Sequence, residues 1–431
     1  MKHSIVWFKN DLRLNDNETL IQAIKQSDEV LPVYCLDQRM FEESALGFKK
    51  IGSIRYQFLV ESLLNLDANL RAIGSGLLVV RGYPEIELPK LVKQYNISTI
   101  FSKKEVAPEE RQIDLLVEKA VWKELCIVEQ YSTSTLYYAT DLPFPMKSIP
   151  DVFTSFRKKI EKETAVRAII EKPTSIKSPK IQSLVLPDPS ILGFEKNLKD
   201  ERTAFPFMGG ETEALDRINN YLFKTKSILN YKETRNQLVG ADYSSKLSSW
   251  LAIGCVSPRM VYKQIKDFEE QFESNESTYW LIFELIWRDY FRFMTKKYKN
   301  QYFLINGIKN LSEIEHHPLK PELFEKWKNG TTGNLFVDAN MKELNLTGYM
   351  SNRGRQNVAS YLCNDLAQDW RYGAAYFEER LIDYDPCSNW GNWAYLAGVG
   401  NDPRGKRVFN IEKQAKEYDP LNNYQKLWLK K

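Results

Sequence analysis

The hydrophobic pattern of this chain changes period once, and that change limits the folds open to it. Up to about residue 133, short apolar runs recur: HSIVWF (3–8), EVLPVYCLD (29–37), GLLVVRG (76–82), ISTIFSKKE (97–105) and CIVEQYST (126–133). Helical patterns such as 54–73 and 109–125 lie between them. Short buried strands separated by amphipathic helices predict a parallel sheet covered on both faces. Such a sheet binds ligands beyond the carboxyl ends of its strands, and no G-x-G-x-x-G follows the first strand here. Residues 134–205 are irregular and rich in Pro, Ser and Lys, with a short helix expected near FTSFRKKIEKE. Beyond them two-residue alternation nearly disappears, and segments such as YWLIFELIWRDYFRFMTKKY, LFVDANMKELNL and RQNVASYLCNDLAQDW read as helices. The expected fold is α/β plus all-α: a doubly wound parallel-sheet domain over 1–133, a connector over 134–205 and an all-helical domain over 206–431. At 431 residues the chain exceeds what one core normally accommodates.

Composition narrows the chemistry by what it lacks. Three histidines leave little material for Ser-His-Asp, Cys-His or His-rich metal sites, and none of the five cysteines forms a C-x-x-C, so no metal site is expected. The net charge of +4 permits a nucleic-acid partner without arguing for one. No apolar run is long and uncharged enough for a membrane; the 279–298 segment carries Glu284, Arg288, Asp289 and Arg292. The N-terminus opens on a strand-like run with no signal or transit pattern, so a reduced, cytoplasmic setting is expected. Aromatics reach 13%, an excess that a large core must mostly absorb.

Three constellations could carry chemistry. Val358, Leu362 and Leu366 recur every four residues, with Cys363 and Trp370 extending that face, so Arg355 lies beside a buried stripe and needs a carboxylate. Asp383 and Asp385, in IDYDPCSNWGNW, are the nearest acids, and a structural ion pair between helices is the bland alternative. Glu284, Trp287 and Arg288 share one face of a helix whose other neighbours are apolar, so that face lines a cavity or pairs internally. In DYSSKLSSWLAIGCVSPR (242–259), hydroxyls and backbone N–H groups before a helix form either a phosphate cradle or a simple serine cap. Together these describe a helical domain enclosing an aromatic cavity with a phosphate-binding rim, which suits a bound aromatic cofactor better than hydrolysis.

WFKNDLRLNDNETL (7–20), YKETRN (231–236), LSSWLAIGCVSPR (247–259), FELIWRDYFRF (283–293), TGYMSNRGRQNVASYL (347–362) and IDYDPCSNWGNW (382–393) resemble the motifs of the photolyase/cryptochrome family. The match follows the family's order from near residue 5 to about 412, and SNRGRQNVASYL, DYDPCSNWGNW and AGVGNDPR are similar to the DASH-type cryptochromes. The family fold, an antenna domain followed by a helical FAD domain, agrees with the pattern above.

The resemblance implies a U-shaped FAD, with Tyr231, Ser244, Ser245, Lys246, Leu247 and Ser248 at its phosphates and ribose. Trp287, Asn352, Arg355, Asp383 and Asp385 would surround the flavin, Arg355 would pair with Asp383, and Asn389 would face flavin N5. It implies a deoxyribodipyrimidine photolyase in which reduced FAD donates an electron, under light, to a cyclobutane pyrimidine dimer flipped from the stack. Glu284 would hydrogen-bond the dimer and Trp287 stack on it. Gln356 and Tyr395 stand where photolyases tend to carry Met and Trp, which fits a preference for single-stranded DNA. Trp393 and Trp370 match two members of the family's photoreduction chain, while its third position falls on His317. Methenyltetrahydrofolate (5,10-methenyltetrahydrofolate) is the implied antenna, with Glu110 near its carboxylate contact; a first-turn helix acid is the bland reading of Glu110. DNA contacts would come from Arg235, Arg288, Lys406 and Arg407 on a monomer, although 351–410 holds seven Lys/Arg against seven Asp/Glu and gives no net basic field. The rival reading is a blue-light photoreceptor with little repair. Asn389 and the absence of a long tail after residue 412 speak against it.

Overall fold

Strand β1 (His3–Phe8) is buried at every residue except His3, because a central parallel strand meets helices on both faces. β2 (Glu29–Asp37), β3 (Leu78–Gly82), β4 (Ile97–Lys103) and β5 (Ile127–Tyr131) complete an all-parallel sheet of order β3-β2-β1-β4-β5. The order reverses at β1, so a crevice opens where the carboxyl ends of β1 and β4 diverge. In this computed structural model the described residues are 2–195, 199–309 and 317–430.

The connector is less of a spacer than its composition implies. Its helix Phe153–Glu163 buries Phe153, Phe156 and Ile160 along one face. The backbone N–H groups of Leu136 and Tyr137 each donate to a carboxylate oxygen of the buried Asp289, both at 2.9 Å. Two backbone donors of the connector are thereby satisfied inside the helical domain.

The helix Glu276–Tyr298 runs through that domain, started by an Asn275 capping box and buried over most of its length. It packs against the helix Pro386–Leu396, whose N-cap is Asp385. The two halves of the chain meet closely at Gly254: a Cβ there would lie 2.1 Å from the Asn10 carbonyl oxygen, and its φ of +76° favours glycine as well. Beside it, Arg259 pairs with the buried Asp16, and Asn15 Nδ2 donates to Glu211 at 2.8 Å, so the amide at position 15 ties the sheet domain to the helix Glu211–Asn219.

One expected helix is interrupted. The run from Arg355 to Trp370 does not continue on one axis: the helix Asn352–Ser360 widens into a π-turn at Tyr361–Asp365 and stops at Ala367, whose φ is +50°. Asp369 then caps a new helix, Trp370–Arg380, by accepting from the Arg371 N–H. Trp370 is therefore placed by the second helix and not by the stripe of the first.

Candidate functional site

The helical domain encloses a cavity of roughly 450 Å³. Arg355 enters it from the first turn of the helix Asn352–Ser360, and its guanidinium donates to Asp383 Oδ2 at 2.8 Å and to the Met350 carbonyl at 2.9 Å. Burial works against the guanidinium's charge, but Asp383 more than offsets it and the pKa of Arg355 is raised. The second acid of the motif has a different partner. Asp385 accepts from Arg292 at 3.1 Å, lies 3.9 Å from Arg288 and caps its helix through the Ser388 N–H at 2.8 Å. Burial alone would raise its pKa; Arg292, Arg288 and the Ser388 N–H hold it below the usual carboxylate range.

Tyr231, Ser245, Leu247 and Ser248 line the same cavity, and Ser244 and Lys246 join them in an adjoining lobe. The helix Ser248–Ile253 has Leu247 as its N-cap with no side-chain cap bond, so no serine caps this helix. Lys246 is buried with φ +62°; its ammonium lies 3.2 Å from the Tyr243 ring centroid and donates to the Tyr349 hydroxyl at 3.1 Å. Burial pushes its pKa well below the ordinary lysine value. Arg217, which sequence reasoning missed, holds the loop from behind through the carbonyls of Ala241, Ser244 and Ser245. Its only sequence signal is helix periodicity.

Elsewhere in the lining, Glu284 pairs with Arg235, and burial, opposed by that arginine, raises the Glu284 pKa. Trp287, Asn352 and Gln356 are on the wall, with Arg353 donating to Gln356 Oε1 at 2.9 Å. The Tyr395 hydroxyl accepts from Arg407 at 2.7 Å, while Asp402 holds both Arg404 and Arg407. Lys406 is exposed beside them. Arg288 also lines the cavity, where its guanidinium donates to the carbonyls of Ser134 and Leu251. Ser388 and Asn392, not singled out from the sequence, also line the wall.

Asn389 lies behind this lining and spends its Nδ2 on the Ala374 carbonyl at 2.9 Å, which leaves its amide oxygen as an acceptor. Trp393 is buried, its ring edge-on to Phe377 (5.1 Å) and Trp327 (6.2 Å). Trp370 meets Trp390, a residue absent from the expected chain, at 5.7 Å. His317 lies partly exposed just before the helix Pro321–Asn329.

A second cavity, of roughly 200 Å³, occupies the crevice of the sheet, lined by Phe8, Lys9, Asn10, Glu105, Glu110, Glu378 and Tyr384 among others. Glu110 sits in the first turn of the helix Pro108–Trp122. Burial, then the charges of Glu105, Glu109 and Glu378, push it up to about 7. Glu105 contacts Arg292 at 3.4 Å, so Arg292 joins this cavity to Asp385 in the larger one.

The residues around the larger cavity fit FAD on their own chemistry. Asp383 Oδ1 is buried without a hydrogen-bond partner, an acceptor awaiting a donor from a ligand. Lys246 and the hydroxyls of Ser244, Ser245 and Ser248 suit a diphosphate, and the Trp- and Phe-lined walls suit flat rings. A parallel-sheet domain joined to a helical domain with such a cavity defines a photolyase-type FAD-binding protein.

Comparison with known proteins agrees. A DNA photolyase family model matches residues 4–177, and a model of the FAD binding domain of DNA photolyase matches residues 280–431. A cryptochrome DASH from Synechocystis sp. is 48% identical, covering 100% of this chain and 88% of that protein. The crystal structure of a Synechocystis cryptochrome superposes with a TM-score of 0.95 at 46% identity, covering 100% of this chain and 89% of that one. An archaeal photolyase from Sulfolobus tokodaii, solved with two FAD molecules, superposes with a TM-score of 0.79 at 28% identity, covering 99% and 90%. The chain belongs to the photolyase/cryptochrome family, on its cryptochrome DASH branch. Among the described residues no helix is long and apolar enough to cross a membrane.

Proposed function

We propose that this protein is a light-driven photolyase that repairs cyclobutane pyrimidine dimers, preferentially in single-stranded DNA. The observation that carries the reading is the juxtaposition of Glu284 and Trp287 on one wall of the FAD cavity, an acid and a flat ring offered to the same space. FAD, when bound and reduced, supplies the photoexcited electron that opens the cyclobutane ring.

The chain's own residues bind, orient and exclude water. Tyr231, Ser244, Ser245, Lys246, Leu247 and Ser248 hold the diphosphate and ribose, and Arg355, Asp383 and Asp385 hold the ring system. Glu284, held by Arg235, hydrogen-bonds the dimer from the cavity wall. Trp287 takes the flipped dimer by stacking. Gln356 and the Arg407-bound Tyr395 are polar where apolar wedges would help to open a duplex. An already unpaired strand avoids that cost of a few kcal/mol. Arg235, Lys406 and Arg407 contact the strand.

The crevice cavity is read as the antenna site for 5,10-methenyltetrahydrofolate, with Glu110, which burial pushes up to about 7, as a hydrogen-bond partner of the pterin. The deciding experiment illuminates FAD-loaded protein with dimer-containing single-stranded and duplex oligonucleotides. Light-dependent loss of dimers, faster in the single strand, is expected. No loss in either would leave a blue-light sensor as the reading.

A further inference from the structure

The connector supplies a ring to the dimer-binding wall. Phe153, the first residue of the helix Phe153–Glu163, lies flat against Trp287, with ring centroids 3.6 Å apart and planes 10° from parallel. Phe153 is only 7% exposed, and its own plane is set by edge contacts from Phe283 at 5.2 Å and Tyr290 at 5.5 Å. Trp287 in turn meets Tyr290 and Tyr395 nearly edge-on, at 89° and 85°. Trp287 lines the cavity and Phe153 does not. One face of the indole is therefore filled from behind.

We propose that Phe153 is a positioning residue for the lesion, holding the Trp287 indole in the plane on which a flipped pyrimidine dimer stacks. The inference rests on the repair reading of the cavity. Stacking requires two flat faces to overlap, and an indole free to rock would have to be ordered when the dimer binds. A parallel ring at 3.6 Å removes that rocking as the protein folds, so the ordering cost falls on folding and not on recognition. The backing ring is itself well anchored: Phe156 and Ile160 bury the same helix face, and Arg157 pairs with Glu161 at 3.0 Å one turn on. The segment that composition marks as a linker thus shapes the site from outside the helical domain.

The test compares wild type with Phe153→Leu, which keeps apolar bulk but not a flat ring, and Phe153→Tyr, which restores the ring. FAD-loaded proteins are titrated with a single-stranded oligonucleotide carrying one dimer and with the same strand undamaged, and flavin content and Tm are recorded. Phe153→Leu is expected to weaken dimer binding about 3- to 10-fold while leaving undamaged-strand affinity and flavin content unchanged, and Phe153→Tyr to restore discrimination. If wild type favours the dimer and Phe153→Leu favours it equally, the positioning role is overturned. Equal weakening on both strands with loss of flavin also overturns it, in favour of a merely structural ring. A wild type that does not favour the dimer overturns the repair reading itself, and the lesion role of Phe153 with it.

Discussion

Arg355 and Asp383 form a 2.8 Å ion pair in the wall of the FAD cavity, and Asp383 keeps its other oxygen buried without a partner. One carboxylate oxygen neutralises the protein's own charge; the other remains for a ligand donor. Asp383→Asn removes the counter-charge while keeping the volume. Because Arg355 is 25% exposed at its side chain, the expected loss is smaller than for a fully enclosed pair, about 1–3 kcal/mol. Thermal unfolding and the ratio of flavin to protein absorbance measure it. Full flavin content in the variant would detach Asp383 from the cofactor.

Glu284→Gln keeps a hydrogen-bonding side chain but removes the acid that Arg235 holds. Repair turnover on a single-stranded dimer substrate is expected to fall about tenfold or more, the scale of losing a positioned acid. Strand affinity should hold or improve, since Arg235 is released towards phosphate. A rise in KM with unchanged turnover would instead mark Glu284 as a binding group only.

Glu343 gives a pH signature. Burial pushes it up to about 7 from 4.5, against the opposing influence of the Tyr424 hydroxyl, Lys246 and Arg355. The folded protein thus holds a proton that the unfolded chain has lost, so this group's contribution is full below pH 4.5 and is lost as pH rises through about 7. Moving a titration midpoint by one pH unit is worth roughly 1.4 kcal/mol, which makes the contribution on the order of 3 kcal/mol. The difference between the Tm–pH curves of wild type and Glu343→Gln should slope between about pH 4.5 and 7 and level off above. Parallel curves would contradict a protonated Glu343.

Trp393→Phe should slow the light-driven reduction of bound flavin at least tenfold, read from flavin absorbance under blue light with an external donor, because phenylalanine is much harder to oxidise. Since Trp370 meets Trp390, Trp390→Phe should also slow it if the path runs through that contact. Unchanged rates in both variants would place the route elsewhere.

Much of the fold was legible in the sequence, since its signals are local. The strand HSIVWF appears as β1 at the residues its apolar run marks, and the expected parallel sheet and helical second half are both present. Burial cost alone demanded a carboxylate for Arg355. Periodicity left Asp383 and Asp385 open; the family resemblance pointed to Asp383, which is the partner found. Residues two apart near a helix start face different neighbours, and only the closed chain sets Asp385 against Arg292. The interruption at Ala367 escaped the periodicity because a π-turn and one left-handed residue preserve apolar spacing while turning the axis.

The sequence by itself determined the elements, the family resemblance and the kinds of side chain at the site, because period, burial cost and motif are written along the chain. Tertiary structure alone decided which cavity each side chain lines, that Arg217 braces the loop carrying Ser244 and Ser245, that Arg288 donates to the Ser134 and Leu251 carbonyls, and that a linker phenylalanine lies flat against Trp287. Those relations join residues tens to more than a hundred positions apart. No local pattern encodes the geometry of their contact; it exists only once the packed core has brought them together.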